Sequence, residues 1–345
     1  MIRCEDWRNA SFETLEPLYR FERARWMTRL HWDNDSTQHI LEHARASGHA
    51  PGLLARDEAG RPVGWAYYLL HQRMLQIGGL VAKGGEATRA LLDGILRSPE
   101  ADMANELLCF AFPSSNALES ALTRRRFTVR RYLYLSRELV GARGAEADWR
   151  VRSGMRIAHW RDSDALDTVR LMSRAYAGVP SSRCFAPRGL LEEWASYLAQ
   201  LIKMPACGTF LPTASLAATQ PGDISPCGVL LATALQQDTA HIAQIAVDPG
   251  IRRRGLARDL VETTCALAAA SGFQRITLLV AEDNEPARTL YAAAGFEPLS
   301  HFVYAIRNAP TRMRVTSPRL VTERAPINVP GNYTYPRQGA ATRYP

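Results

Sequence analysis

The chain repeats itself, and the repeat restricts the folds open to it. Trp7-Arg8-Asn9-Ala10 returns as Trp160-Arg161-Asp162-Ser163, each time ahead of a helix-like segment. Pro62-Val63-Gly64-Trp65 returns as Pro226-Cys227-Gly228-Val229, each time after a polar turn. Asn116 to Phe127 returns, one residue longer, as Asn284 to Phe296. The offsets grow from 153 to 164 to 169, the drift that small insertions leave in a duplicated unit. One such match arises easily by chance; three in order describe tandem copies. The expected layout is one unit over 1–140, a linker over 141–154, a second unit over 155–308, and a tail over 309–345. The expected class is α/β (α+β): each unit a mixed, mostly antiparallel sheet with helices on both faces.

The second copy carries the segment with most chemical content. Ile245 and Val247 alternate with neighbours as a strand does, and the strand stops at Asp248-Pro249-Gly250, where proline removes a ladder donor. A basic loop, Arg252-Arg253-Arg254-Gly255, runs directly into a helical pattern with Leu256, Leu260, Val261 and Leu267 on one face. A strand, a short basic glycine loop and a helix N-terminus make an anion site. The first helical amides are unpaired, the dipole is positive there, and glycine lets a phosphate approach the main chain. The loop is not a Walker loop, because no Gly-Lys-Ser/Thr follows, nor a dinucleotide fingerprint. Beyond it, Ser271-Gly272 ends the helix, Arg275 to Val280 reads as a buried strand, and a further helix closes at Gly295-Phe296.

Arg252-x-x-Gly255-x-Ala257 after Val-x-Pro resembles the pyrophosphate loop of the GNAT superfamily of acyl-CoA-dependent N-acyltransferases. Asn284-x-x-Ala287-x-x-Leu290-Tyr291-x-x-x-Gly295-Phe296 is similar to that family's closing signature. The resemblance implies acetyl-CoA as cosubstrate and direct attack of an amine on the thioester. It implies that the main chain of Ile245, Ala246 and Val247 lies along the pantetheine arm, on a splayed strand whose free N–H groups polarise the carbonyl. It further implies that Arg252, Arg253, Arg254, Gly255, Leu256 and Ala257 hold the pyrophosphate, and that Asn284 and Ala287 border the arm. Tyr291 is the implied general acid for the departing thiolate. Its plain alternative is a tyrosine packed on a helix face.

Proton removal from the amine needs a base. His241, at the head of the strand, is the candidate, on the expectation of a near-neutral pKa; a solvent-exposed strand-end histidine is the other reading. Glu192 and Glu193 read as the solvated face of a helix. Acceptor contacts are expected between Tyr176 and Tyr197, where Tyr176, Phe185, Trp194 and Tyr197 line a pocket or form core.

The first copy differs where the chemistry is expected. Gly78 to Glu86 has no Val-x-Pro and no Arg-x-x-Gly-x-Ala, and Glu86 puts negative charge at the helix start. The position matching Tyr291 falls on Leu122 or Thr123. This copy reads as degenerate, shaping the acceptor cleft.

The net charge of +8 does not indicate nucleic acid, since residues 309–345 hold six arginines against one acid and no nucleic-acid motif accompanies them. The six cysteines are scattered, with no Cys-x-x-Cys and no histidine cluster, so reduced thiols in a cytoplasmic protein and no metal are expected. No apolar run is long enough to span a membrane. The Pro/Arg-rich tail is expected to be disordered or draped over the surface. Function is thus expected to be N-acetyl transfer to an amine of a small molecule or peptide. A non-catalytic acyl-CoA-binding module, or a tail-mediated interaction protein, are the alternatives.

Overall fold

The computed structural model describes residues 2–111, 114–139, 153–204 and 208–308, with the backbone of 326–329 and 333–336. Most of the linker expected over 141–154 lies outside the described residues. In chain order the first half forms β1 (Arg3–Asp6), α1 (Phe12–Leu30), α2 (Asp35–Ala46), β2 (Gly52–Arg56), β3 (Pro62–His71) and β4 (Met74–Ala82). It continues with α3 (Gly85–Leu96), α4 (Pro99–Met103), β5 (Glu106–Ala111), α5 (Asn116–Arg124) and β6 (Thr128–Glu138). The second half forms β7 (Arg156–His159), α6 (Ala165–Ala175), α7 (Leu191–Lys203), β8 (Thr209–Phe210), β9 (Leu216–Thr219), β10 (Gly228–Gln236) and β11 (Thr239–Val247). Then come α8 (Leu256–Ala270), β12 (Arg275–Ala281), α9 (Glu285–Ala293) and β13 (Glu297–Asn308).

The chain divides into two compact units, 1–24 with 35–129 and 303–345, and 25–34 with 130–302. The first is a sheet in the order β1-β2-β3-β4-β5, closed by the second half of β13, with Val303 opposite Ala111 and Asn308 opposite Glu106. The second runs β7-β9-β10-β11-β12-β6, with β8 on β10. Tyr132 to Glu138 of β6 pair with Ala281 to Arg275 of β12. Both sheets are antiparallel except at β4/β5 and β11/β12. The compact units therefore divide the chain differently from the contiguous copies read in the sequence: each is completed by a strand encoded in the other half. The reason is that a strand edge selects its partner by ladder and face, not by chain distance.

The duplication holds residue by residue. In each unit a bulge interrupts the central hairpin, after Tyr67↔Gly79 in the first and after Leu231↔Gln244 in the second. The pair Leu69↔Gln76 corresponds to Thr233↔His241, and the parallel pair Gln76↔Leu108 to His241↔Thr277. Gly78 occupies the first bulge because a Cβ there would lie 2.3 Å from the Tyr67 ring.

Helices cover both faces of each sheet. In the second unit, Leu256, Leu260, Val261 and Cys265 of α8 and Tyr291 of α9 pack with Leu230, Ala232, Ile242 and Leu278 on one face. On the other, Leu171 and Met172 of α6 and Trp194, Leu198 and Leu201 of α7 pack with Val229, Leu231 and Ala246. In the first unit α3 and α5 bring Leu91, Leu92, Ile95, Leu118 and Leu122 to one face. On the other face, Trp7 stacks on Trp65 with centroids 5.3 Å apart. Trp7 and Trp160, paired in the sequence repeat, are both buried; their indole N–H groups donate to Ala50 O at 2.8 Å and Thr168 Oγ1 at 2.9 Å. Within the tail, expected to be disordered or draped over the surface, β14 (Pro326–Val329) and β15 (Tyr333–Pro336) pair antiparallel, and the remainder of 309–345 lies outside the described residues.

Candidate active site

The loop after β11 begins as a single turn of 3₁₀ helix, Pro249–Ile251, fixed by Asp248, whose Oδ1 accepts from Gly250 N at 3.0 Å. Arg174 of α6 pairs with Asp248 at 3.0 Å, and the backbone hydrogen bonds and the guanidinium outweigh desolvation to hold that carboxyl below the usual range. Arg253 takes φ +64° and Gly255 φ +89°, two left-handed residues that turn the chain into α8. Gly255 is the N-cap and supplies no side chain, so the opening amides of α8 have no side-chain cap. A Cβ on Gly255 would meet nothing within 4 Å. The position requires glycine for its φ, and the space beside it is open. Open space, uncapped amides and a positive helix end fit a pyrophosphate.

The three arginines divide their work. Arg252 turns inward, donating from Nη2 to Ala175 O at 2.6 Å and from Nε to Val247 O at 3.4 Å. It anchors the loop to α6 and the strand, where an anion contact was expected. Arg253 and Arg254 are exposed and make no hydrogen bond or ion pair among the described residues. In the first unit only Lys83 and Gly84 separate β4 from α3, against the eight residues Asp248 to Gly255 in the second. Gly84 is likewise a glycine N-cap with positive φ, at +106°, but in a different conformation from Gly255, and Glu86 follows in the first turn.

β11 and β12 are ladder partners only from Thr239↔Arg275 to Ile242↔Leu278. From Ala243 onward β11 keeps β10 alone, so the strand is splayed as the resemblance implied. Asp248 N donates to Cys227 O at 2.8 Å, so by alternation Ala243, Ile245 and Val247 turn their peptide groups away from β10. Their carbonyls accept from Tyr197 OH at 3.3 Å, Tyr176 OH at 2.5 Å and Arg252 Nε at 3.4 Å. Tyr176 and Trp194 stack at 5.2 Å, and Trp194 and Tyr197 meet edge-on at 6.1 Å. Trp194 and Tyr197 are thus buried core residues, Tyr176 and Phe185 pack partly buried against that core, and the hydroxyls of Tyr176 and Tyr197 steady the splayed strand. Sequence reasoning missed that second role, because nothing local says where a phenol ends.

α9 opens at Asn284, whose Oδ1 accepts from Ala287 N at 3.3 Å; the side chain expected on the pantetheine arm is partly spent as a helix cap. The helix closes in a Schellman motif, with Phe296 N on Tyr291 O at 2.9 Å, Gly295 N on Ala292 O at 3.0 Å, and Gly295 at φ +77°. The first unit repeats this closure with Phe127 N on Leu122 O at 3.1 Å, placing Arg126 left-handed at φ +62° where the second has glycine. The residue matching Tyr291 is therefore Leu122, a group that cannot donate a proton. Tyr291 is buried, edge-on to Phe296 at 5.8 Å, and its hydroxyl makes no hydrogen bond among the described residues. Burial raises its pKa well above the ordinary phenol value, so it stays protonated at neutral pH. Tyr176 is raised by burial and further by the neighbouring Tyr291.

His241 departs from expectation. It is 3% exposed, its Nδ1 lies 2.9 Å from Thr277 Oγ1, and its ring sits 6.0 Å from Trp32 and 6.1 Å from Tyr134. Desolvation with no compensating charge pushes its pKa down to about 3, not the near-neutral value a base would have. The imidazole is neutral across the physiological range. Tyr134 OH donates to Thr277 Oγ1 at 3.0 Å, and Thr277 Oγ1 donates to Ala240 O at 3.3 Å. With its one proton so placed, Thr277 accepts from His241 Nδ1–H and leaves Nε2 as the lone pair. Glu192 is exposed as a solvated helix face should be, whereas the Glu193 side chain is only 13% exposed: it pairs with Arg188 at 2.7 Å and accepts from Arg188 N and Leu190 N at the start of α7.

Among the described residues no group of three His, Cys, Asp or Glu could hold a metal ion, and no helix is long and apolar enough to cross a membrane. Cys4, Cys109, Cys184, Cys227 and Cys265 are free thiols.

Residues 180–296 match the family model described as Acetyltransferase (GNAT) family. The chain is 29% identical over 301 residues to the mycothiol acetyltransferase of Beutenbergia cavernae, covering 79% of this chain and 91% of that protein. It is 26% identical over 208 residues to the mycothiol acetyltransferase of Clavibacter sepedonicus, covering 60% and 64%. Among solved structures, a GCN5-related N-acetyltransferase from Sphaerobacter thermophilus superposes with TM-score 0.61 at 15% identity, covering 91% of this chain and 98% of that one. A tandem GNAT protein from the clavulanic acid biosynthesis pathway superposes with TM-score 0.58 at 15% identity, covering 90% and 100%. These two show the fold. The loop, the splayed strand and the closing helix all lie in the matched segment, so residues 180–296 carry a domain of the GNAT family of acetyltransferases.

Proposed function

We propose that the second unit transfers an acetyl group from acetyl-CoA to the primary amine of a small molecule, by direct attack. The observation that carries this reading is the departure of β11 from β12 after Ile242, feeding a loop that ends on the uncapped α8 amides. The first unit shares the fold but lacks the long loop and the tyrosine. The pyrophosphate would rest on the amides of Gly255, Leu256 and Ala257, with Arg253 and Arg254 free to reach it; Arg252 would hold the loop's shape. The peptide groups of Ile245 and Val247, with Ala246 between them, would take the pantetheine amides and present an N–H to the thioester oxygen, which gains charge as the tetrahedral adduct forms. Asn284 Nδ2 and Ala287 would border the same arm.

Tyr291 would donate its phenolic proton to the thiolate as the C–S bond breaks. His241 would act differently from the near-neutral base expected of it. Its Nε2 would accept a hydrogen bond from the amine, and would take the proton only once C–N bond formation had made that N–H strongly acidic. The relatives are named mycothiol acetyltransferases, and by analogy the acceptor here would be a small molecule rather than a protein. Tyr291→Phe tests the chemistry. The ring and its packing remain, kcat should fall roughly 10²–10⁴-fold, and acetyl-CoA affinity should hold. An unchanged kcat would make Tyr291 a packing residue.

A further inference from the structure

Opposite residues of an antiparallel pair share a face. Thr233 is opposite His241, and Leu231 opposite Gln244 across the bulge, so Thr233, His241 and Gln244 share the β10/β11 face that Leu231 turns to α6 and α7. Thr233 is 0% and Gln244 5% exposed, and Thr233 Oγ1 and Gln244 Nε2 have no hydrogen-bond partner among the described residues. His241 Nε2, with Nδ1 engaged on Thr277, also has none among the described residues. Unpaired buried polar atoms are uncommon in native folds because water cannot repay them. Three on one face of one hairpin call for a partner.

The sister unit keeps only one polar residue, Gln76, among the corresponding positions. By register, Thr233, His241 and Gln244 correspond to Leu69, Gln76 and Gly79, and Thr277 to Leu108. Hydroxyl, imidazole and the threonine that orients it occur together only in the unit with the long loop. Same-face neighbours on adjacent or alternate strand positions stand roughly 5–7 Å apart, the span of a compact organic molecule. The three groups are neutral. Gln244 Nε2 can only donate, His241 Nε2 can only accept, and Thr233 Oγ1 does either. Trp32 and Tyr134 wall the histidine with ring faces.

We propose that Thr233, His241 and Gln244 form the polar floor of the acceptor site and recognise an uncharged hydroxyl or amide group carried beside the reacting amine. The inference rests on the acetyl-transfer reading above. The amine donates to His241 Nε2 while the neighbouring oxygen accepts from Gln244 and pairs with Thr233. A carboxylate or second ammonium on the acceptor meets no countercharge on this face and is disfavoured.

The test uses acceptor pairs with one skeleton: serinol against isopropylamine, and serinamide against alaninamide, compared as free base with acetyl-CoA. Wild type should show at least tenfold higher kcat/KM for the hydroxylated member. The Thr233→Val/Gln244→Met double variant, nearly isosteric, should discriminate less than threefold. Its acetyl-CoA affinity should be unchanged and its Tm equal or higher, since unpaired polar atoms have been removed. Equal turnover of both members by wild type, persistence of the preference in the double variant, or turnover of neither pair overturns the inference. A Tm several degrees lower does so too, by showing that the polar atoms serve the fold. Failure of wild type to bind acetyl-CoA at all sinks the acetyl-transfer reading instead, and calorimetry on the same samples separates the two.

Discussion

His241→Gln offers a direct measure of how dry the face of β11 is. A histidine whose pKa drops from about 6.5 to about 3 on folding is unprotonated in the native state where the unfolded chain has taken up a proton. Its effect on stability is therefore absent above pH 6.5, grows as the pH falls, and saturates below the native pKa. Two units below the ordinary value, near pH 4.5, the penalty is about 2.7 kcal/mol, from ~1.36 kcal/mol per unit. That is a large share of a typical domain's ~5–15 kcal/mol. Glutamine is the natural replacement, because Gln76 holds the corresponding position in the first unit and is itself buried. Urea unfolding of both proteins at pH 7.5 and 4.5 gives four free energies. Wild type should lose about 2–3 kcal/mol more than the variant between the two pH values, all other titrating groups cancelling in the difference. Equal pH dependence in the two proteins, or an imidazole NMR titration near 6.5, would refute the argument that this ring is desolvated without a countercharge.

Gly255→Glu should lower calorimetric affinity for CoA by tenfold or more, by adding a side chain and a negative charge at a left-handed N-cap, while Glu86→Gln leaves it nearly unchanged. Equal affinity for wild type and Gly255→Glu would remove the loop from the site. Arg126→Gly should raise stability by about 0.5–1 kcal/mol, because Arg126 is exposed, its side chain makes no hydrogen bond or ion pair among the described residues, and it is held at φ +62°; a loss of stability on thermal melting would show that the side chain does more than occupy the turn. A fragment of residues 150–308 should aggregate rather than fold, because it strips β6 from the edge of β12 and removes Leu135 and Leu139 from the core. A soluble fragment with native near-UV circular dichroism would refute that.

The elements legible in the sequence are those whose causes lie within a few residues. Gly255 and Gly295 are left-handed because helix entry and exit there need positive φ, and Pro249 and Asn284 mark a turn and a cap from local chemistry alone. The repeat gave the duplicated unit because equal segments bury equal faces, and the matching bulges and parallel pairs show it. Other features had no local signal. The bulge beside Ala243 carries no turn residue of its own, and it emerges from the register of β10 and β11. Arg252 reads as a phosphate ligand by motif, yet a carbonyl of α6 lies within its reach and takes it. His241 was assigned a near-neutral pKa from its residue type, but a pKa reports solvent and charge around a group, and Trp32 and Tyr134 come from distant parts of the chain. The exchange of β6 and β13 between the units was likewise undetermined by the sequence pattern, since alternation says which face of a strand is buried and nothing of whose edge it joins. Dihedral preference and capping act between neighbours in the chain and can be read there. Desolvation, ladder partnership and the pairing of buried polar atoms act between neighbours in space, and only the folded structure decides them.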